Sequence, residues 1–332
     1  MSARFSRMKR ILSAAAVLPL ITALAGATYQ WHLSRSDLAA TPPPGRLVDV
    51  GGRRLHIWCR GTGEAGTPSV LFDSGLGGGA FSWADVAPEV AKLTQTCTYD
   101  RAGLGYSDPG PEPRTSAQIA SELAELIENS GIARPVILVG LSFGGFHTRM
   151  VASERPDLVA GLVLVSASHE NQGERYAAAG VPSGRPPDAV LQLAPIAASL
   201  GILRLMGVTF GAPPESADPQ VREFVLATAY RSSRYYAMKG ELEHTGESGQ
   251  QVAATRRQLT IPLLVVSPGQ GSGARAEINR ELQADLATLS TRACQVIAED
   301  SGHGVGNEPE VVVEAIRDVL LAAGDEFSKP GC

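Results

Sequence analysis

The sequence predicts an α/β protein with a mostly parallel sheet and helices on both faces of that sheet. Short apolar runs, such as residues 136–139 and 162–165, are typical of strands that are buried on both faces. Helical stretches alternate with these runs, and this order indicates parallel strands joined by helices. Two alternating stretches within residues 46–60 flank Gly51-Gly52, which indicates an antiparallel hairpin at the start of the sheet.

The composition allows one large globular domain. The chain has 332 residues, of which 44% are hydrophobic, and this is enough to bury a sizeable core. The formal net charge of -5 argues against a surface that binds polyanions, so we expect no nucleic-acid partner. The sequence contains no phosphate-loop, dinucleotide or zinc-ligand spacing, so we expect no cofactor and no metal.

Residues 1–34 are predicted to direct export. Residues 4–10 are rich in basic side chains, residues 11–28 carry no charge, and Ala23-Leu24-Ala25 resembles a signal-peptidase site. The uncharged run is also about long enough to span a bilayer, so a membrane anchor, with membrane association through residues 11–31, stays open. Both alternatives place the rest of the chain outside the cytoplasm. The proline-rich residues 35–45 are predicted to be a linker.

The remaining elements follow in order along the chain. After the hairpin, residues 69–73 and 96–99 are predicted strands, and residues 81–93 between them are predicted to be helical. The later buried strands include residues 263–266 and 294–297, each followed by a helix.

Residues 171–259 interrupt this alternation. They are too long for a simple connection and are predicted to be helical. We expect a helical cap, inserted after the sixth strand, over the sheet edge where ligands bind. The core would then comprise residues 46–170 and 260–325.

The central motif lies within residues 135–156. A buried strand is followed at once by Gly140-Leu141-Ser142-Phe143-Gly144 and then by a helix. A G-x-S-x-G motif between a strand and a helix is typical of a nucleophile elbow, in which a tight turn exposes the serine hydroxyl. The helix N-terminus behind Ser142 would also favour an oxyanion there.

Four features in order resemble the α/β-hydrolase superfamily. They are Asp73-Ser74-Gly75 after the third strand, the stretch YDRAGLGYS at residues 99–107, the elbow at Ser142, and Ser301-Gly302-His303 after the last strand. The resemblance covers nearly all of residues 48–322. It is closest to the branch of cap-bearing lipases, esterases and proline-iminopeptidase-like enzymes. It implies the α/β-hydrolase fold, with a mostly parallel sheet of eight strands.

The resemblance also implies a set of catalytic residues. Ser142 is expected to be the nucleophile and His303 the base that activates it. The backbone amides of Phe143 and Leu76 are expected to form the oxyanion hole. The substrate would be a small acyl compound.

The acid that usually orients the histidine is missing from its expected position. The loop after residue 266 holds no carboxylate, and the alternative position, after residue 165, holds Ser166. We predict Glu170 as the acid, with Glu277, Asp300 or a simple serine–histidine dyad as alternatives.

The resemblance further implies that Cys59 and Cys97 lie on neighbouring antiparallel strands. An exported chain could join them in a disulfide. The alternative is two buried free thiols.

The sequence as a whole favours a serine hydrolase that cleaves a carboxylic ester or a related acyl compound. One alternative is an amide hydrolase of the iminopeptidase kind, whose cap would present Glu170, Glu174 or residues 241–243 to an amino terminus. Another is a non-catalytic binding protein that kept the fold without the acid. His56, His147 and the Asp100-Arg101 pair are expected to be structural.

Overall fold

The fold is described from a computed structural model, which covers residues 2–64, 66–211, 213 and 217–323, with side chains from residue 17 onward. The described residues form an eight-stranded sheet with the order β1-β2-β4-β3-β5-β6-β7-β8. The strands are β1 Arg46–Asp49, β2 Arg54–Arg60, β3 Val70–Asp73, β4 Thr96–Tyr99, β5 Val136–Leu141, β6 Val159–Val165, β7 Leu263–Pro268 and β8 Ala293–Ala298.

The pairing of the strands confirms the predicted fold class. β1 pairs with β2, and β2 with β4, in antiparallel register. All other neighbours, from β4–β3 to β7–β8, are parallel. The carboxyl ends of β3, β5, β6, β7 and β8 therefore lie along one edge of the sheet, and this edge holds the predicted site.

The described helices are α1 Ser2–Ala40, α2 Ala87–Val90, α3 Ser116–Asn129, α4 Gly144–Glu154, α5 Gln172–Ala178, α6 Asp188–Ser199, α7 Ile202–Leu205, α8 Pro219–Ala229, α9 Ser232–Glu243, α10 Thr245–Ala254, α11 Gly273–Leu286 and α12 Pro309–Ala322. Helices α3 and α4 cover one face of the sheet, and α12 covers the other face. Alternate residues of β5 enter different cores: Leu138 packs in the cluster with α3 and α4, whereas Ile137 and Val139 pack in the cluster with α12. Burial on both faces explains why the strand is apolar without alternation.

The segment predicted as one helix over residues 81–93 is shorter and broken. It contains a 3₁₀ turn at Ala80–Trp83 and the single helical turn α2. The turn starts where the Asp100 carboxylate accepts a hydrogen bond from the Ala80 amide at 2.7 Å. A long-range contact therefore sets this local structure, and the apolar spacing could not predict it.

The predicted disulfide is present. Cys59 on β2 and Cys97 on β4 face each other in antiparallel register, and their sulfurs are bonded. The bond ties the hairpin to the central part of the sheet.

The region predicted as a cap divides differently. One compact unit comprises the chain up to Pro42 together with Pro186–Tyr236, and the other comprises Pro43–Arg185 and the chain from Ala237 onward. Between β6 and β7 the described residues are largely helical, as expected. In this division, residues 171–185 and 237–259 of the predicted cap belong to the unit that contains the sheet.

The N-terminal segment also differs from the prediction. α1 continues to Ala40, so much of the predicted linker at residues 35–45 is helical. Within the first unit, Arg204 donates a hydrogen bond to Asp37 at 2.7 Å, and Gln30 donates to the Tyr230 carbonyl. A Cβ at Gly26 would lie 2.5 Å from the Leu200 carbonyl oxygen, so α1 passes very close to the end of α6. The second half of the predicted leader is therefore packed as part of a folded unit.

The first part of the predicted anchor, residues 11–16, lies outside the described side chains. Within the described residues, no helix is both long and apolar enough to cross a membrane.

Candidate active site

The nucleophile elbow has the geometry that its motif predicts. Ser142 lies between β5 and α4 with φ of +49°, a left-handed conformation that is strained for a residue with a side chain. The turn brings backbones very close together: a Cβ at Gly144 would lie 2.6 Å from the Asp73 carbonyl oxygen, and one at Gly140 would lie 2.9 Å from the Gly144 carbonyl oxygen. Glycine is therefore required on both sides of Ser142.

His303 meets Ser142 at the same edge of the sheet. It lies on the loop after β8, and its Nε2 is 3.1 Å from the Ser142 Oγ. This is hydrogen-bonding distance, as proton transfer from a nucleophile to its base requires. Burial disfavours the charged imidazolium and lowers the pKa of His303 below its usual value. The ring is therefore neutral at neutral pH and can accept a proton.

The third group beside His303 is a serine. The Ser166 Oγ lies 2.7 Å from the Nδ1 of His303. Ser166 follows β6 directly, and its amide donates to the Val266 carbonyl on β7 at 2.8 Å. When Nε2 accepts the Ser142 proton, Nδ1 must carry a hydrogen, and the Ser166 hydroxyl oxygen is placed to accept a bond from it. Ser166 thus occupies the position of the missing acid and can select the tautomer without supplying a charge.

Glu170 does not take this position. Arg149 donates to its two oxygens at 2.8 and 3.1 Å, and Arg256 donates to one of them at 2.7 Å. Burial alone would raise the pKa of Glu170, but the bond to Arg149 and its charge outweigh burial and lower the pKa to about 2. The prediction for Glu170 is therefore corrected: α4 and the chain after α10 supply two guanidinium groups that hold this carboxylate elsewhere.

The contacts of His303 in the described part of the chain do not include the other two candidate acids. Glu277 in α11 and Asp300 before the His303 loop both have exposed side chains. The Nδ1 of His303, which an acid would contact, is bonded to Ser166. The sequence did identify Ser166 as the occupant of the alternative position, but a serine is a weak signal because its role depends on a histidine 137 residues away.

A small cavity lies beside Ser166 and His303. Its volume is about 20 Å³, and its lining includes Gln172, Asn279 and Gln283. The Nε2 of Gln283 donates to the Ala167 carbonyl at 2.7 Å, which leaves its buried Oε1 without a partner among the described residues. The space is large enough for one water-sized group.

The predicted oxyanion loop lies against the nucleophile. A Cβ at Gly75 would be 3.4 Å from the Ser142 Cβ, so the loop after β3 passes directly over the elbow. Leu76 is the next residue on this loop, and Phe143 is the residue after Ser142. The two amides that the sequence predicts for the oxyanion hole are therefore carried by two segments that approach each other at Ser142.

Two further histidines are paired inside the core. The Nδ1 of His147 is 2.8 Å from Asp73, and the Nδ1 of His56 is 2.8 Å from Asp100. Asp100 also accepts hydrogen bonds from the amides of Ala80 and Tyr106. These contacts support the structural roles that the sequence predicts for both histidines and for Asp100.

A family model described as the alpha/beta hydrolase family matches residues 70–315. The chain belongs to the alpha/beta hydrolase family. The match includes Ser142, Ser166 and His303, so the whole candidate site lies inside it. Membership of this family supports a hydrolase.

The matches between this alpha/beta hydrolase and its relatives cover different shares of its chain. Uncharacterized protein YqjL of Bacillus subtilis is 23% identical over 283 residues, which are 84% of this chain and 92% of that protein. An AB hydrolase superfamily protein of Gibberella zeae is 25% identical over 292 residues, 76% of this chain and 86% of that protein. Probable transporter efuK of Hormonema carpetanum is 33% identical over 129 residues, and this match covers 37% of the chain and 18% of that protein. The chain thus spans about a fifth of efuK.

Solved structures share the fold of this alpha/beta hydrolase at low identity. The enol-lactonase from Burkholderia xenovorans LB400 has a TM-score of 0.57 and 19% identity, and the match covers 83% of this chain and all of that chain. Epoxide hydrolase CorEH has a TM-score of 0.57 and 20% identity, over 83% of this chain and 98% of that chain.

Proposed function

We propose that this alpha/beta hydrolase is a serine hydrolase that cleaves a carboxylic ester or a related acyl compound through an acyl-enzyme. The contact of 3.1 Å between the Ser142 Oγ and the His303 Nε2 carries the proposal. A serine hydroxyl is a weak nucleophile until a neighbouring base accepts its proton, and a neutral His303 provides that base. A serine at this position also argues against the aspartate-based chemistry of epoxide hydrolases on the same fold.

The reaction would proceed in two halves. The Ser142 Oγ attacks the acyl carbon and its proton passes to the Nε2 of His303, while the carbonyl oxygen becomes an oxyanion that faces the amides of Leu76 and Phe143. The bond to the leaving alcohol breaks as His303 returns the proton to it. Water then attacks the acyl-enzyme and gives a proton to His303. As the bond between the acyl carbon and the Ser142 Oγ breaks, His303 returns this proton to the Oγ, and the acid leaves.

The amide-hydrolase alternative has less support. Two of the carboxylates that would recognise an amino terminus have other partners, since Glu170 is paired with Arg149 and Arg256, and the buried Glu241 is paired with Arg101. An esterase therefore remains the better proposal.

Two reagents test the proposal. A fluorophosphonate probe reacts only with an activated serine, and p-nitrophenyl esters report turnover. Ser142→Ala should abolish labelling, and Ser142→Ala and His303→Ala should each lower ester turnover by roughly three to six orders of magnitude, with little further loss in the double variant. A wild-type protein that neither labels nor turns over any ester would support the binding-protein alternative. Full turnover in either single variant would refute the assigned roles.

We also propose that the protein is exported. The Cys59–Cys97 disulfide supports this, since such bonds persist in oxidising compartments, as does the basic and then uncharged N-terminal sequence. Cleavage after Ala25 would retain Gln30 and Asp37, which bond to Tyr230 and Arg204 within the first unit. N-terminal sequencing of the protein from outside the cytoplasm tests this, with Gly26 as the expected first residue; protein confined to the cytoplasm with both thiols alkylatable would refute it.

A further inference from the structure

Helix α9 contacts the loop that follows β3. Glu241 on this helix is fully buried, and its Oε2 accepts a hydrogen bond from the Gly77 amide at 2.9 Å. One turn earlier, Met238 packs so closely that a Cβ at Gly77 would lie 2.8 Å from its Cγ. Gly77 has φ of +65°, a conformation that favours glycine. The helix therefore fixes Gly77 through one polar and one apolar contact.

Arg101 holds the two residues before Leu76. Its Nη1 donates to the Ser74 carbonyl at 2.6 Å, and its Nη2 donates to the Gly75 carbonyl at 2.8 Å. The other N–H groups bind Asp73 at 2.8 Å and the two oxygens of Glu241 at 2.7 and 3.0 Å. A guanidinium has five N–H donors, and here all five are used. Only 1% of the Arg101 surface is exposed, so the buried and fully bonded side chain is held in a single conformation.

These contacts determine where the Leu76 amide points. The Gly75 carbonyl and the Leu76 N–H belong to the same peptide unit, which is planar and trans, so the two groups point in opposite directions. Besides Arg101, the Gly78 amide donates to the Gly75 carbonyl at 2.9 Å. Anchoring the carbonyl on one side therefore directs the Leu76 N–H to the other, where the predicted oxyanion forms.

We propose that the buried Arg101–Glu241 pair is a positioning element for catalysis: it orients the Gly75–Leu76 peptide so that the Leu76 amide faces the oxyanion. The proposal rests on the serine hydrolase function above. It also gives helix α9 a role in catalysis, although α9 lies outside the loops at the carboxyl ends of the strands. The reason is that Glu241 on α9 is bonded to both Arg101 and Gly77. Neither Arg101 nor Glu241 touches the reacting atoms, and both act through Leu76.

The ionic state of the pair fits this role. Burial alone would raise the pKa of Glu241, but attraction to Arg101 outweighs burial and holds that pKa below its usual value. The carboxylate is therefore charged, and among the described residues the removal of Glu241 would leave the buried Arg101 guanidinium with one carboxylate partner, Asp73, instead of two.

A second buried pair provides a matched control. Arg114 donates to both oxygens of Glu122 at 2.8 Å, and both side chains are almost fully buried. This pair lies in the same unit, and no contact described for Glu122 reaches residues 73–77. Loss of Glu122 therefore removes a similar ion pair but none of the hydrogen bonds of the oxyanion loop.

The experiment compares Glu241→Ala and Glu122→Ala with the wild type. Glu241→Ala should lower kcat about 100-fold or more, the cost of losing one oxyanion-hole donor, with little change in KM. Glu122→Ala should lower the melting temperature to a similar extent but leave kcat close to the wild-type value. Rates are normalised to correctly folded protein, measured by circular dichroism. Glu241→Gln keeps an acceptor for the Gly77 amide and should therefore retain more activity than Glu241→Ala. If the alanine variant does not fold, the kcat of Glu241→Gln tests the proposal in its place.

Two outcomes would overturn the proposal: a folded Glu241 variant with wild-type kcat, or equal losses of kcat in the Glu241 and Glu122 variants. Failure of the proposed function looks different, because the wild type itself would then show neither fluorophosphonate labelling nor ester turnover.

Discussion

The neutral partner of His303 leads to a prediction about pH. Ser166 gives Nδ1 a hydrogen-bond acceptor at 2.7 Å but no negative charge. We expect Ser166→Asp to raise the pKa of His303. For charges about 5 Å apart at an effective dielectric constant of about 20, the attraction is about 3 kcal/mol. This energy corresponds to a rise of roughly two pKa units. The left-handed φ of +44° at Ser166 is one that aspartate tolerates, and the adjacent cavity offers space for the larger group.

The assay is the pH dependence of kcat/KM for a p-nitrophenyl ester. Only neutral His303 accepts the Ser142 proton, so the rate falls as the pH drops through the pKa of His303. In the wild type this fall should lie below the usual histidine range, because burial lowers the pKa. Ser166→Asp should move the fall to higher pH.

Ser166→Ala completes the test. It leaves a buried Nδ1–H unpaired, which costs about 1 to 3 kcal/mol, or roughly 5- to 160-fold in kcat/KM. If Ser166→Ala is as active as the wild type and Ser166→Asp does not shift the profile, Ser166 does not orient His303.

Two further predictions concern stability. Glu170→Gln should change kcat little, because Glu170 contacts Arg149 and Arg256 instead of His303. Glu170 has a pKa of about 2 in the folded protein and about 4.5 in the unfolded chain. It therefore stabilises the fold above pH 4.5 and loses this effect as the pH falls towards 2. Glu170→Gln should remove this part of the acid sensitivity of folding. Thermal melts at several pH values measure this, and a large loss of kcat would contradict the reasoning. Joint replacement of Cys59 and Cys97 by alanine should lower the free energy of unfolding by roughly 4 kcal/mol, since the bond closes a loop of 38 residues. Urea denaturation measures this loss, and an unchanged midpoint would refute it.

Much of the fold was readable from local patterns. Continuous apolar runs and the alternating hairpin at residues 46–60 predicted the strands, and the structure places these strands in one eight-stranded sheet. The G-x-S-x-G motif predicted the turn at Ser142, because the motif specifies a backbone geometry in which only glycine fits beside the serine. His303 could be placed near Ser142 because the carboxyl ends of parallel strands share one edge.

The tertiary structure alone decided which side chains meet at that edge. The sequence alone does not show which partner a carboxylate has. Glu170 pairs with Arg149 and Arg256 because a buried charge needs compensation. Helix α4 and the chain after α10 bring these two guanidinium groups within reach of it. Ser166 became the partner of His303 only because two loops, 137 residues apart, end at the same place. The packing of α1 has the same cause: the uncharged residues 11–28 resemble a leader in sequence, whereas the contacts of α1 with Arg204 and Tyr230 arise only when distant helices fold against it.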